Sequence, residues 1–357
     1  MTTALGAGVA TDKGPKRTQE DAYYIGGYQG RLTLNGFNGT GQVQELGCYG
    51  IFDGHGGERA SRYAAEYVFP KILSRMDGAE ATGPFAAKCT IEDAIKKGIH
   101  ELDTDFCSLS NHCKTLSLGH GGIRQHTGTG IEDGSTCLVA IVRDGVVYVG
   151  NVGDSRAVLV KEFPNGKVNA VALSEDHKPE VPTERQRIEA AGGEVTGLVY
   201  GQRAPEFALS MWPFNRVVDV PRVNGILSMS RAIGDASLKP IISADADVTV
   251  HVLTAADKYL ILACDGLWDV VSNTKAAKLA AKCATPDAAA TALCKYAIRH
   301  GTEDNVTVVV VDLRGCSAVP ESPANSVVVT NSHSVALDAH AALAPGPPRT
   351  QSLPRMK

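Results

Sequence analysis

No apolar run in this 357-residue sequence is long enough to cross a bilayer. Purely apolar stretches such as Cys137 to Val142 and Tyr259 to Cys264 stop far short of the ~20 residues a spanning helix needs. Basic excess is missing too. The 35 lysines and arginines face 39 aspartates and glutamates, a formal net charge of −4, so the positive field that holds nucleic acid is absent. Neither a membrane nor a nucleic-acid partner is expected. The 9 cysteines are odd in number and form no Cys-x-x-Cys pair, which excludes a disulfide framework and a zinc ribbon. Cys48, Cys137 and Cys264 sit inside apolar runs, where a thiol acts as a small hydrophobe. His112, His120 and His126 with Cys113 fit no compact zinc spacing and read as loop residues. The opening Met1-Thr2-Thr3-Ala4 lacks the apolar core of a secretory signal and the glycine that myristoylation needs. The expectation is a reduced, intracellular protein, cytoplasmic or nuclear. No coiled-coil pattern calls for an obligate partner, so a monomer is expected.

What is present is ordinary globular composition, 43% hydrophobic and 21% charged, enough for a sizeable core. Leu46 to Phe52 reads as a buried strand, and Glu58 onward as a helix with Ala60, Tyr63, Ala64, Tyr67 and Val68 on one face. A second helix starts after Thr90, with a Gly/His/Thr-rich surface loop from about Ser110 to Asp133. Asp144-Gly145 and Asn165-Gly166 mark two hairpins. Helices are predicted over Pro182 to Ala191, about Thr274 to Cys283, and Pro286 to His300. Further strands are predicted over Lys258 to Cys264 and Val306 to Leu313. Strands gathered in hairpins favour antiparallel sheets with helices packed outside. Beyond Gly315 no period is sustained, so residues 315–357 are expected to be a disordered tail after a domain spanning 1–314.

Acidic motifs occupy strand ends and glycine turns: Glu20-Asp21, Asp53-Gly54-His55-Gly56-Gly57, Gly153-Asp154-Ser155-Arg156, Asp265-Gly266-Leu267-Trp268-Asp269 and Asp304-Asn305. Any one Asp-Gly can be a plain turn, and Asp144-Gly145 is read that way. As a set they suit hard cations such as Mg²⁺ and Mn²⁺, which take carboxylates, backbone carbonyls and water. Strand ends of one sheet system can bring distant aspartates together, and carboxylates so gathered repel one another unless cations neutralise them.

With Asp133-Gly134-Ser135-Thr136, Val223-Asn224-Gly225-Ile226-Leu227, Ser230-Arg231-Ala232-Ile233-Gly234-Asp235 and Asp304-Asn305-Val306-Thr307 in the same order, the chain resembles the metal-dependent protein phosphatases of type 2C from about Gly14 to Leu313. The resemblance implies an α+β fold, a central sandwich of two antiparallel β-sheets flanked by helices on both sides. It implies a protein serine/threonine phosphatase acting on phosphorylated proteins, with water activated at two Mg²⁺ or Mn²⁺ ions. By resemblance Asp53 bridges the ions, the Gly54 carbonyl binds one, and Asp265 and Asp304 complete the other, while Glu20 and Asp21 hold water around them. His55 is then the general acid, or else a hydrogen-bonded structural histidine. Asp154 and Asp269 are either ligands of a third cation or structural. Arg156 and Arg231 are expected to brace carboxylates.

Two departures from the family pattern stand out. The family's phosphate-gripping arginine, four residues before the glutamate of Glu20-Asp21, is here Lys16, with Arg17 one residue later. Lysine lacks the bidentate fork, so either Lys16 or Arg17 is expected to bind phosphate. The family's flap, at about 195–222, is enlarged and carries Tyr200, Arg203, Trp212, Phe214 and Arg216, either a docking surface for phosphoprotein substrates or packing. A silent phosphoprotein-binding module is the competing reading, against which the retained Asp53, Asp265 and Asp304 speak. A nuclease is disfavoured by the lack of basic charge.

Overall fold

The computed structural model describes residues 5–30, 44–77, 90–116, 132–197, 220–314 and 316. Strand alternation explains its layers. In β6 (Cys137–Arg143), Leu138, Ala140 and Val142 point to one hydrophobic layer, and Cys137, Val139 and Ile141 to another. Every second residue is apolar on each face, so the strand must be covered on both sides. It lies in a five-stranded antiparallel sheet ordered β13 (Asp247–Val252), β7 (Val146–Val152), β6, β3 (Gln44–Phe52) and β2 (Ala22–Gly30). A second five-stranded antiparallel sheet runs β1 (Ala7–Asp12), β15 (Val306–Asp312), β14 (Asp257–Ala263), β8 (Arg156–Glu162) and β9 (Val168–Ala172).

The sheets face each other across Tyr49, Ile51, Leu138, Val149, Leu159, Leu260, Leu262 and Val309. Outside the first sheet, Phe52, Val139 and Ile141 pack on α1 (Arg59–Asp77) and α2 (Ile91–Leu116) through Val68, Ile72, Ile95 and Ile99. Outside the second, Tyr259, Ile261, Val308 and Val310 pack on α5 (Asn273–Ala281) and α6 (Pro286–Arg299). The α+β sandwich flanked by helices is therefore the observed fold. Truncating a fully buried side chain such as Leu260 to alanine costs about 2–5 kcal/mol in settings of this kind.

Thr90 caps α2 by accepting the Asp93 N–H at 3.1 Å. That helix runs on to Leu116, into the segment read as loop, because neither glycine nor proline occurs between Gly98 and Gly119. The rest of that loop, including His120 and His126, lies outside the described residues, as do the flap's Trp212 and Phe214 and the tail beyond residue 316. At the flap's base, β10 (Val195–Thr196) pairs with β11 (Arg222–Val223) above α3 (Pro182–Ala190).

A candidate metal centre

The acidic motifs meet at one end of the sandwich, each placed by the end of a strand. Asp53 follows β3, and its backbone is pinned by Thr136: Asp53 N–H donates to Thr136 Oγ1 at 2.9 Å, and Thr136 N–H to the Asp53 carbonyl at 2.9 Å. Asp154 stands in the turn between β7 and β8. Asp265 opens α4 (Asp265–Trp268), a single turn held by Trp268 Nε1 donating to the Ala263 carbonyl at 2.9 Å. Asp304 lies two residues ahead of β15 and accepts the Asn305 N–H at 2.7 Å. One carboxylate oxygen from each of Asp53, Asp154 and Asp265 lies within 4.8 Å of the others, and Asp21, Asp53 and Cys264 form a second such group.

Charge is left over there. Burial pushes the Asp53 carboxyl well above the usual carboxylate range, and the charges of Asp265, Asp21, Asp154 and Asp304 add to it. Burial and then Asp154 and Asp269 raise Asp265 to about 7. Burial raises Asp21 to about 6, against the Thr307 hydroxyl, which donates to Asp21 Oδ2 at 2.6 Å. Asp269 is also raised, chiefly by burial. The Oδ1 atoms of Asp21 and Asp154 are buried and have no hydrogen-bond partner among the described residues. Unpartnered buried carboxylate oxygens, mutual repulsion and an oxygen-rich donor set fit a site for hard divalent cations. Cys264 does not belong to that donor set: burial raises its thiol well above its ordinary value, and its sulfur accepts the Thr307 N–H at 3.1 Å.

The surroundings hold the remaining candidates. Glu20 accepts from the Thr18 hydroxyl at 2.8 Å and the Gly57 N–H at 3.3 Å. Gly54, in β4 (Gly54–His55), pairs with β5 (Gly134–Ser135); a Cβ there would come within 2.4 Å of the Glu20 carbonyl, so only glycine lets the two backbones touch. Lys16 Nζ donates to Asp304 Oδ2 at 2.8 Å, a bond that raises its pKa together with the charges of Asp304, Asp265 and Asp53. Arg17, by contrast, is exposed and has no ion-pair partner among the described residues. Lys178 donates to Asp154 Oδ2. His55 Nε2 lies 2.8 Å from Asp235 Oδ2; burial opposes its charge, but the Asp235 bond outweighs this and raises the pKa. Arg156 pairs with Asp176 at 2.6 Å and Arg231 with Glu184 at 2.6 Å, both bracing carboxylates away from the cluster.

Two residues gained no role from sequence reasoning although their motifs were visible. Asp235 is the partner of His55. Asn305 staples the Lys13–Glu20 loop: its Nδ2 donates to the carbonyls of Lys13 (2.8 Å) and Thr18 (2.9 Å), and its Oδ1 accepts the Glu20 N–H (2.8 Å). Only their place in long motifs hinted at this.

The sequence profile of the family described as Protein phosphatase 2C matches residues 25–306. The chain belongs to that family. Relatives include "Probable protein phosphatase 2C 52" of Oryza sativa subsp. japonica, 34% identical over 307 residues, covering 86% of this chain and 50% of that protein. "Probable protein phosphatase 2C member 13, mitochondrial" of the same organism is 35% identical over 308 residues, with 86% and 68% covered. The chain thus spans only about half the length of the first relative. Among solved structures, the serine-threonine phosphatase 2C from Toxoplasma gondii superposes with a TM-score of 0.61 at 27% identity, covering 87% of this chain and 95% of that one. Protein phosphatase 2C enzymes are metal-dependent phosphoprotein phosphatases, and Asp53, Asp154, Asp265 and Asp304 lie within the matched span, with Glu20 and Asp21 just ahead of it. Concavity alone would have pointed elsewhere: a cavity of roughly 700 Å³ between α2 and residues 245–247 is lined by Lys97, His100, Arg231 and Asp247, and by none of the acidic cluster.

Proposed function

We propose that the protein hydrolyses phosphoserine and phosphothreonine monoesters of proteins at this acidic centre, with two Mg²⁺ or Mn²⁺ ions as its cofactors. The observation that carries the reading is the convergence of Asp53, Asp154 and Asp265 without enough protein cations to neutralise them. When bound, a pair of such ions acidifies water and neutralises charge on the phosphoryl group.

The chain's own groups supply position and protons. Asp53, shared by the two acidic groups, would hold the ions together with Asp265, and the Gly54 carbonyl and Asp304 would complete the protein ligands. Glu20 and Asp21, each anchored by a threonine hydroxyl, orient solvent around them. Asp154 Oδ1, without a hydrogen-bond partner among the described residues, and Asp269 would be the donors to a third cation beside Asp265. Lys16, held among Asp304, Asp265 and Asp53, meets the incoming phosphate as a point charge, whereas Arg17 faces solvent. His55 gives a proton to the leaving serine or threonine oxygen, which is a poor leaving group without one. The enlarged flap at about 195–222, with its aromatic and basic residues, is where phosphorylated protein substrates would dock. Hydrolysis of p-nitrophenyl phosphate should need Mn²⁺ or Mg²⁺ and stop with chelator; full turnover in excess EDTA would refute the metal mechanism.

A further inference from the structure

The cavity of roughly 700 Å³ beside α2 has the size of a small-molecule site but not the usual lining. Such sites are walled mainly by apolar and aromatic side chains. Here, among the described lining residues, only Ala246 is apolar and none is aromatic. A ligand that fills this space must itself be polar, because an apolar one would strand charged groups away from water.

Charge is sorted across the cavity. On the helical side, Glu101 is already matched by Arg75 at 2.5 Å. Lys97 and His100 are exposed, have no side-chain partner among the described residues, and are neighbours on the α2 surface, three residues apart. That side has positive charge to spare. On the other side, Arg231 is committed to Glu184 at 2.6 Å and to Asp247 at 3.3 Å. Asp245 is exposed and accepts from the Ser243 hydroxyl at 2.7 Å, which leaves its carboxylate further lone pairs for a donor. Asp247 also ties this side to the acidic centre. Its Oδ2 lies 3.0 Å from His177 Nε2, and Nδ1 of the same ring accepts the N–H of Gly153, the residue before Asp154, at 3.0 Å.

We propose that this cavity is a binding site for a small phosphorylated polyol, a sugar phosphate in its chemistry, seated with its phosphate on Lys97 and His100 and its hydroxyls towards Asp245 and Asp247. Spare cations on one side suit the phosphate, and carboxylate acceptors on the other suit hydroxyl donors. Binding is non-covalent. The site is separate from the hydrolytic centre, since none of the acidic cluster lines it. Occupancy is nevertheless felt there, because a ligand that engages the Asp247 side touches the chain of bonds through His177 to Gly153.

The test is calorimetric titration of the full chain in EDTA, where the acidic centre has no cations to offer a phosphate. Glucose 6-phosphate should bind with a Kd below about 1 mM, inorganic phosphate at least about tenfold more weakly, and glucose not measurably. Replacing both exposed cations, Lys97→Gln with His100→Gln, should weaken glucose 6-phosphate at least about tenfold, and Asp245→Ala about fivefold. Lys295→Gln, at an exposed lysine of α6, should change the affinity by less than about twofold. On saturation the Gly153 amide resonance of the wild type should shift. No binding of glucose 6-phosphate at about 10 mM would overturn the site. Inorganic phosphate binding as tightly would overturn the polyol, and an equal loss in Lys295→Gln would leave only unspecific charge attraction. A Gly153 resonance unmoved at saturation would overturn the two-sided seating.

Discussion

Two groups of buried carboxylates sit in this molecule and are treated in opposite ways. Around Glu184 the chain provides its own cations: Arg231 and Arg187 donate to the carboxylate at 2.6 Å and 2.9 Å, and Ser230 at 2.7 Å. Burial alone would raise its pKa, yet these partners hold it at about 2. Asp247, with His177 at 3.0 Å and Arg231 at 3.3 Å, is likewise held at about 2 against burial. Around Asp53 the reverse holds, with Asp265 raised to about 7 and Asp21 to about 6 by burial and neighbouring charge. The first group is a structural joint complete in itself; the second is a charge deficit that an added cation would relieve.

The largest test of that contrast is to remove one carboxylate from the deficit. Asp265→Ala should lower phosphate release at least about a thousandfold, the worth of several kcal/mol of charge stabilisation. It should leave the metal-free melting temperature unchanged or higher, since repulsion is relieved; a drop of many degrees would mean the aspartates are structural after all. In the joint the expectation inverts. Arg231→Met should cost about 3 kcal/mol in urea unfolding, because Glu184 is left charged and underpaired. A smaller effect separates the two candidate phosphate ligands: Lys16→Met should raise KM roughly tenfold and Arg17→Met by less than about twofold. Comparable shifts in both would remove Lys16's advantage.

The smallest effect is in pH. In metal-free protein Asp265 and Asp21 have folded values of about 7 and about 6 against an ordinary 3.8, so folding takes up protons and stability rises as pH falls from 7 towards 4. Glu184 and Asp247, both held at about 2, have the opposite sign; their contribution is present above pH 4 and is lost as pH falls through about 2. Melting should therefore rise by a few degrees from pH 7.5 to pH 5 without metal, and Mn²⁺ should flatten that slope. A slope unaffected by Mn²⁺ would uncouple the ion from these carboxylates.

Central strands were legible because both faces are apolar: β6, β14 and β15 read as Val/Ile/Leu runs and β3 as a mixed apolar run from Leu46 to Phe52. Strands β1, β2 and β13 escaped notice, and all three are sheet edges with mixed faces; β2 exposes Tyr23 and Ile25 and carries glycines that blur the alternation. At the site, aspartates at strand ends could be named because Asp-Gly punctuation is a local signal. The partnership of His55 with Asp235, 180 residues away, could not, since no local pattern records which distant carboxylate meets a ring nitrogen.

Asn305 draws together backbone groups 285 to 292 residues upstream, while β1 closes the second sheet by pairing with β15. A ribosome delivers the N-terminal side of this seam first and the other side last. Until residues 304–312 emerge, the nascent chain has neither Asp304 nor the clasp on the Lys16 loop, so a half-synthesised protein lacks part of the acidic centre.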